Sequence, residues 1–228
     1  MLSSDEFNQR LRESLASLES DLEQETVESH SNVFVLGLPR SGTTLLTQLL
    51  HNCTNLYCTN NLIARFRAAP LVGAYLSKST VGSVKSQSFE SFYGRTSDIA
   101  EPHEFSWFWH DLLEVVDVTN YDPQTIAERV DWDRVRSKLI NLNAVFGGGL
   151  VHKPLELVGY HLSHFSKILN KAIFVFIERD PLEMACSIAE ARQRNNDDMQ
   201  SWWGSYPPAG IYNEIKGDPY ALQIVQQI

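Results

Sequence analysis

The sequence predicts an α/β fold in which a central parallel sheet is covered by helices on both faces. Two segments, NVFVLGL at 32–38 and AIFVFIE at 172–178, are short, continuously apolar and rich in β-branched and aromatic residues, as buried strands are. Each is followed directly by a helical pattern, over 43–52 and 182–193. Strands without polar alternation that alternate with helices are typical of parallel sheets buried on both sides.

The remaining elements follow in order along the chain. Apolar residues at spacings of three and four predict an acidic helix over 4–29. A helical stretch over 61–78 is expected to be interrupted near Pro70, and the Ser-, Gly- and Thr-rich segment 79–100 is expected to be loop. The other predicted elements are a strand at Leu150–His152 and helices at 101–116, 132–145, 155–169 and 220–228.

The composition indicates a single domain over residues 1–228. A chain of 228 residues can bury a sizeable core, and it contains no internal repeat or linker composition. The net charge is −9, and the acidic N-terminal segment 1–30 accounts for most of it, with eight acidic and two basic residues. Because nucleic-acid binding needs dense Lys and Arg to neutralise phosphates, this balance argues against a nucleic-acid partner.

No secretory leader, membrane span or metal site is predicted. The start MLSSDEFNQR has no basic head followed by an apolar run, and no stretch approaches the roughly 20 apolar residues of a span. Cys53, Cys58 and Cys186 have neither zinc-site spacing nor the even number of a disulfide framework, and the histidines follow no metal-ligand spacing. We therefore predict a cytoplasmic protein with reduced cysteines.

An anion-binding loop is predicted where the first strand meets its helix, at GLPRSGTT over 37–44. Backbone N–H groups in such a turn, with the positive end of a helix, suit a phosphate, and Gly37 and Gly42 let the backbone pass close to it. Against the nucleotide-hydrolase pattern GxxxxGK[ST], Thr43 replaces the lysine, and Arg40 lies earlier in the loop. A plain strand-to-helix turn with a Ser or Thr cap is the alternative.

The string PRSGTT resembles the 5′-phosphosulfate loop of sulfotransferases that use 3′-phosphoadenosine 5′-phosphosulfate (PAPS). A second match follows the strand at 172–178, where Arg179 precedes Ser187 by eight residues. In that family an arginine and a serine with this spacing hold the 3′-phosphate, the arginine by charge-assisted hydrogen bonds. The resemblance covers 32 to about 193. It is nearer the tyrosylprotein and bacterial branch than the cytosolic branch, which usually carries lysine at the position of Arg40.

The resemblance implies a P-loop-like three-layer domain that transfers a sulfuryl group from PAPS to an acceptor hydroxyl without a metal. It leaves the class of acceptor open. Because the chain stops inside the helical pattern at 220–228, the C-terminal part of the family domain is expected to be absent. The residues that the resemblance assigns to the nucleotide are Arg40, Ser41, Gly42, Thr43, Thr44, Arg179 and Ser187.

A lysine for catalysis is found where the family places one. Lys153 directly follows the predicted strand Leu150–His152, and in the family a lysine at this point contacts the transferring group. Together with Arg40, an ammonium group there would stabilise charge that builds on the transferring and leaving oxygens. The alternative is a solvated lysine at the end of a strand.

The base that takes the acceptor's proton is less directly assigned. In the tyrosylprotein-like branch a glutamate follows shortly after the loop, but residues 58–62 contain no carboxylate. The segment EPHE at 101–104 offers an acid–imidazole cluster beside several aromatic residues, which would raise the pKa of a carboxyl group. We rank Glu104 first, His103 second and His152 third. Helix-start chemistry is the alternative for the cluster.

Two other functions stay open at this point. A phosphate-loop kinase that uses ATP would need a lysine where Thr43 stands, and a magnesium-binding carboxylate for which Asp180 is the candidate. A sulfotransferase-like nucleotide-binding protein without a base is favoured by Asn60 and Asn61, which lie in the region of the missing glutamate.

Overall fold

The computed structural model describes residues 3–82, 88–154 and 156–228. Within them four strands form one sheet in the order β2-β3-β1-β4, and every neighbouring pair is parallel. Helices flank the sheet, so the predicted α/β three-layer class is confirmed. The strands are β1 (Asn32–Gly37), β2 (Tyr57–Cys58), β3 (Leu150–His152) and β4 (Ala172–Ile177).

Several of the predicted helices agree closely with the observed ones. The predictions over 43–52, 132–145 and 182–193 are confirmed within a few residues. None of the helices in the described ranges is long and apolar enough to span a membrane. The helices are α1 (Ser4–Leu22), α2 (Thr43–Cys53), α3 (Pro70–Thr80), α4 (Ser106–Leu112), α5 (Pro123–Arg129), α6 (Trp132–Phe146), α7 (Glu156–Gly159), α8 (Leu162–Ile168), α9 (Pro181–Asn196), α10 (Ala209–Ile215) and α11 (Tyr220–Gln227).

The acidic helix predicted over 4–29 is too long, because α1 ends at Leu22. After it the chain is not helical, and the Glu28 carboxylate accepts the backbone N–H groups of Asn170 and Lys171 at 2.6 and 2.8 Å. This contact ties the segment to the turn before β4 and leads the chain into β1. Local spacing of apolar residues does not reveal that the chain after Leu22 contacts a segment 142 residues away from Glu28.

The prediction over 61–78 is wrong in its first half. Only a 3₁₀ turn forms at Ile63–Arg65, and Pro70 begins α3 instead of interrupting a helix. Proline suits the first helical position because no intrahelical bond is needed from its nitrogen. The buried carboxylate of Glu19 on α1 accepts the N–H groups of Leu71 and Val72, which satisfies the start of α3 and docks α1 against it.

The helix predicted over 101–116 is much shorter, since α4 covers only Ser106–Leu112. Phe105 has a φ of 60° and is fully buried, and a left-handed residue cannot continue a helix. The N–H of His103 donates to the carbonyl of Thr59 at 2.8 Å, so residues 101–105 are held beside the chain that follows β2. The predicted helix over 155–169 divides into α7 and α8, while residue 155 lies outside the described ranges.

The core is packed with aromatic side chains on one face of the sheet. The Phe34 ring on β1 lies 5.3 Å from that of Phe174, 5.4 Å from Phe165 and 6.2 Å from Trp109. Such offset and edge-to-face pairs add to the stability that burial of their apolar area supplies. This packing fixes β1 between β3 and β4 and therefore fixes the loop that follows it.

His152 belongs to this core. Its side chain is fully buried, its ring stacks on Phe34 at 5.3 Å, and its Nε2 is 2.9 Å from Asn32 Oδ1. Burial lowers the pKa of His152 to about 3. Below pH 6.5, about the ordinary pKa of histidine, His152 binds a proton in the unfolded chain but stays neutral in the folded chain. The free energy of unfolding therefore falls as the pH drops from about 6.5 towards 3.

We therefore predict that replacing His152 with leucine flattens the pH dependence of stability. In urea denaturation the wild-type chain should lose about 2 kcal/mol more than His152→Leu between pH 7 and pH 5. His161, whose burial lowers its pKa to about 4, contributes a similar slope to both proteins. Parallel curves for the two proteins would contradict the prediction, whatever their stabilities at pH 7.

Candidate active site

A cavity of about 520 Å³ opens at the carboxyl edge of the sheet. We call it the loop cavity. In parallel sheets all strands end at the same edge, and ligands bind there where neighbouring connections diverge. Here β1 lies between β3 and β4, so the chain after each of the three strands reaches this edge. The segments lining or bordering the cavity are the 37–45 loop, residues 91–95, Glu104, Ser106, His110, Lys153, Arg179 and residues 202–206.

The loop after β1 follows the tight path that its glycines predict. Arg40 and Gly42 have φ values of 68° and 107°, both left-handed. A Cβ atom on Gly37 would lie 2.5 Å from Ser41 Oγ, so only glycine leaves room for that hydroxyl. The Ser41 hydroxyl is buried and has no hydrogen-bond partner within the described ranges. A buried hydroxyl without a partner is costly unless a ligand accepts its hydrogen bond.

The start of α2 adds open backbone donors beside this hydroxyl. Gly42 is the N-cap and supplies no side-chain cap, so the first amides of α2 are not satisfied by a capping group. Thr43 and Thr44 occupy the first two helical positions, and both line the loop cavity. An uncapped helix start with its positive dipole end suits a phosphate or sulfate group.

The predicted second anchor lies in contact with the loop. Arg40 Nε donates to Ser187 Oγ at 2.8 Å, and an Arg179 terminal nitrogen donates to the Arg40 carbonyl at 3.0 Å. Arg179 also donates to the exposed carboxylate of Glu183 on α9, an exposed pair that adds little stability. Residues about 140 apart in sequence are therefore brought together, as the resemblance implies.

Arg40 is held between several groups in the loop cavity. Its guanidinium lies over the Tyr93 ring, 4.9 Å from the centroid. Burial lowers the pKa of Arg40 below its usual value, and the positive charge of Arg179 adds to the lowering while the Tyr93 hydroxyl opposes it. Two guanidinium groups close enough to act on one another form a strongly cationic patch, which an anion would stabilise.

Lys153 joins three segments at the floor of this site. Its ammonium donates to Thr44 Oγ1 at 2.8 Å, to Glu104 Oε1 at 2.9 Å and to the Gly94 carbonyl at 3.0 Å. The side chain is almost fully buried, and burial lowers the pKa of Lys153 while the Glu104 carboxylate opposes that shift. Gly94 has a φ of 85°, and a Cβ there would lie 3.0 Å from Glu104 Oε1, so glycine permits this close approach.

The three candidate bases differ in their surroundings. Glu104 lines the loop cavity, and only its Oε1 accepts from Lys153. It lies two residues before the start of α4, which has no side-chain cap, and the helix-start alternative stays a prediction. His103 Nδ1 accepts the N–H of Phe105 at 2.8 Å, which places the proton of the neutral ring on Nε2. Burial lowers the pKa of His103. His152 is enclosed in the core and is not among the residues that line the cavity.

A protein-family model described as "Sulfotransferase family" matches residues 32–207. The chain belongs to the sulfotransferase family. The matched range runs from β1 past α9 and includes every residue of the loop, Lys153, Arg179 and Ser187. No curated protein and no solved structure matches the chain significantly. The family match supports sulfotransferase activity in general, and the placement nearer the tyrosylprotein and bacterial branch stays a prediction.

Two segments of this sulfotransferase's cavity wall were not predicted. Tyr93 lies in the segment expected to be simple loop, and its ring meets Trp203 edge-on at 5.9 Å. The other segment is 202–206. The guanidinium of buried Arg192 lies 4.9 Å from the centroid of the Trp202 ring and also donates to side chains of α11, which holds this segment in place. The signal for both was a concentration of aromatic residues outside any predicted helix or strand, FYG at 92–94 and WWGSY at 202–206.

Proposed function

We propose that the protein transfers a sulfuryl group from PAPS to an acceptor hydroxyl. The observation that carries the proposal is the contact of Arg179 and Ser187 with Arg40 of the loop. A donor with phosphate at both the 3′ and the 5′ position of one ribose needs two anion sites side by side. A phosphate loop alone would serve many nucleotides, whereas two adjoining anion sites favour one that carries phosphate at both ends.

The loop side of the cavity is proposed to hold the 5′-phosphosulfate. The Ser41 hydroxyl, the open amides at the start of α2 and the hydroxyls of Thr43 and Thr44 are donors for its oxygens. Arg179 and Ser187 are proposed to hold the 3′-phosphate. The Arg179 guanidinium would donate charge-assisted hydrogen bonds, and Ser187 would donate one from its hydroxyl. The aromatic segment 202–206 offers a surface on which a nucleobase could stack.

Two groups are proposed to act on the reacting atoms. The acceptor oxygen attacks sulfur, and the bond between sulfur and the 5′-phosphate oxygen breaks with its electron pair going to that phosphate. Lys153, with Arg40 beside the loop, would stabilise the charge that gathers on the leaving phosphate. Glu104 would take the acceptor's proton, since Lys153 uses only one of its two oxygens; His103 is the second candidate. The products are the sulfated acceptor and adenosine 3′,5′-bisphosphate.

The two rival functions have less support. Asp180, the magnesium candidate of a kinase, caps α9 by accepting the N–H of Glu183 at 3.1 Å. Asn60 and Asn61 also have structural roles, because Asn60 bonds Ser77 and the Ile63 N–H, and Asn61 bonds the 96–98 segment. These asparagines hold the backbone near α3 and leave Glu104 as the carboxylate that faces the cavity.

The proposal is tested by nucleotide binding measured by isothermal titration calorimetry. The wild-type protein should bind adenosine 3′,5′-bisphosphate more tightly than adenosine 5′-phosphate. Arg179→Ala should weaken binding of the bisphosphate by about 10- to 100-fold, as expected when a charged hydrogen-bonded pair is removed, and Ser187→Ala by less. Neither change should alter binding of the monophosphate appreciably.

Arg194→Ala, an exposed arginine later on α9, is the matched control and should leave both affinities unchanged. If Arg179→Ala loses the same factor of affinity for both nucleotides, Arg179 does not bind the 3′-phosphate. Tighter binding of ATP with magnesium than of the bisphosphate would favour the kinase instead.

A further inference from the structure

A second, larger cavity of about 1110 Å³ lies beside α4. We call it the helical cleft, because α1, α4 and α6 and the 65–70 segment form its walls. Its apolar lining is extensive, and Val116 at the rim is 96% exposed. The apolar residues that line it include Leu11, Leu15, Phe66, Trp107, Val115 and Val116.

Helix α4 separates the helical cleft from the loop cavity. Ser106 and His110, one turn apart, line the loop cavity, while Trp107 and Asp111, also one turn apart, line the cleft. A helix turns by about 100° per residue, so these pairs define two adjacent faces. His110 lines both cavities. The two spaces therefore both border His110, which lines the loop cavity together with Glu104.

The charges of the cleft are unbalanced. Of its basic residues, Arg134 pairs with Asp111 at 2.6 Å, and Lys138 pairs with Glu23 at 2.6 Å. Within the described ranges, the exposed side chains of Arg65 and Arg67 have no carboxylate partner, and Glu114, which also lines the cleft, pairs with Arg129. In a chain of net charge −9, two arginines left without carboxylates beside an apolar cavity favour an anionic ligand.

Arg67 lies near the point where the two cavities meet. Burial lowers the pKa of the His110 imidazole, and the positive charge of Arg67 adds to that lowering. An anionic group bound at Arg67 would thus lie close to His110, the residue that lines both cavities. An apolar body would be covered by Phe66 and Trp107, which line the same space.

We propose that the helical cleft binds the acceptor, and that the acceptor is a small amphiphile with a hydroxyl group, an apolar body and an anionic group. Its anionic group would lie at Arg65 and Arg67, and its hydroxyl would pass His110 to reach Glu104 in the loop cavity. This inference rests on the proposed sulfotransferase function and adds the site and chemical class of the acceptor.

The test uses ω-hydroxydodecanoate and its methyl ester, which differ only in the anionic group. Binding is measured by calorimetry with saturating adenosine 3′,5′-bisphosphate. We expect the wild-type protein to bind the acid at least about tenfold more tightly than the ester, because a charged hydrogen bond is gained. The double variant Arg65→Gln, Arg67→Gln should bind acid and ester alike, and Arg194→Gln should behave as wild type.

Retained binding of the bisphosphate shows that the double variant is folded, since neither arginine lines the loop cavity. If the bisphosphate binds but the wild-type protein does not prefer the acid, or the preference survives in the double variant, the acceptor inference is overturned by itself. If the bisphosphate does not bind the wild-type protein, the proposed function fails and the inference fails with it.

Discussion

Replacing Lys153 with methionine is expected to lower kcat for sulfuryl transfer by about 100- to 1000-fold, the usual loss when one group that stabilises developing charge is removed. The ammonium is held by Thr44, Glu104 and the Gly94 carbonyl, so it is already positioned before the substrates bind. Methionine retains the volume of the side chain without its charge. The measurement is turnover of radiolabelled PAPS with the best acceptor from a panel of hydroxyl compounds.

Lys78→Met is the matched control, since Lys78 also donates to a backbone carbonyl but lies on α3, away from the loop cavity. It should keep wild-type turnover. The affinity of Lys153→Met for adenosine 3′,5′-bisphosphate should fall far less than kcat. A variant that keeps more than a tenth of wild-type kcat would exclude Lys153 from charge stabilisation.

The second large effect is expected from Glu104→Gln, which should lower kcat by about 100- to 10,000-fold, as loss of a general base does. The amide oxygen of glutamine can still accept the hydrogen bond from Lys153, so the floor of the cavity is retained. Proton abstraction from the acceptor is what this variant loses. Steady-state turnover and nucleotide affinity are measured on the same preparation.

His103→Gln distinguishes between the two candidate bases. Because His103 Nδ1 accepts the Phe105 N–H, the ring can be replaced by a side chain that also accepts a hydrogen bond, and kcat should fall less than about tenfold. The assignment is reversed if His103→Gln loses most of the turnover while Glu104→Gln keeps it. In both variants the bisphosphate should bind as in the wild-type protein.

The fold was predictable where local pattern and tertiary packing agree. The run at 32–38 is apolar on both faces because β1 lies between β3 and β4 and is buried. The run at 172–178 forms the predicted strand but is not buried as expected, because β4 is at the edge of the described sheet and its Ile173 and Phe176 side chains are 49% and 58% exposed. Strand β2, with two residues, carries no such signal and forms only by pairing with β3. The predicted helices over 4–29 and 101–116 are too long because residues 23–31 and 101–105 are not helical, and distant contacts at Glu28 and Thr59 hold these segments instead.

The sequence predicts the charged residues of the candidate site but not the aromatic segments that line the cavity around them. Arg40, Lys153 and Arg179 follow strand ends, and the ends of parallel strands meet at one edge. The pairing of Lys153 with Glu104 needed the three-dimensional position of a segment that pairs with the chain after β2. His110 looks ordinary in the sequence, and only the placement of α4 between two cavities shows that it lines both.

The bond from Arg40 to Ser187 connects the two proposed anion sites through one hydroxyl group. The Ser187 hydroxyl accepts from Arg40 Nε at 2.8 Å, and a serine hydroxyl that accepts one hydrogen bond still has its own hydrogen to donate. In the proposed complex that hydrogen would go to the 3′-phosphate while Arg40 keeps its place in the loop. A 3′-phosphate would therefore orient the Ser187 hydroxyl and, through it, hold Arg40 beside the sulfuryl end, whereas a nucleotide without that phosphate would not.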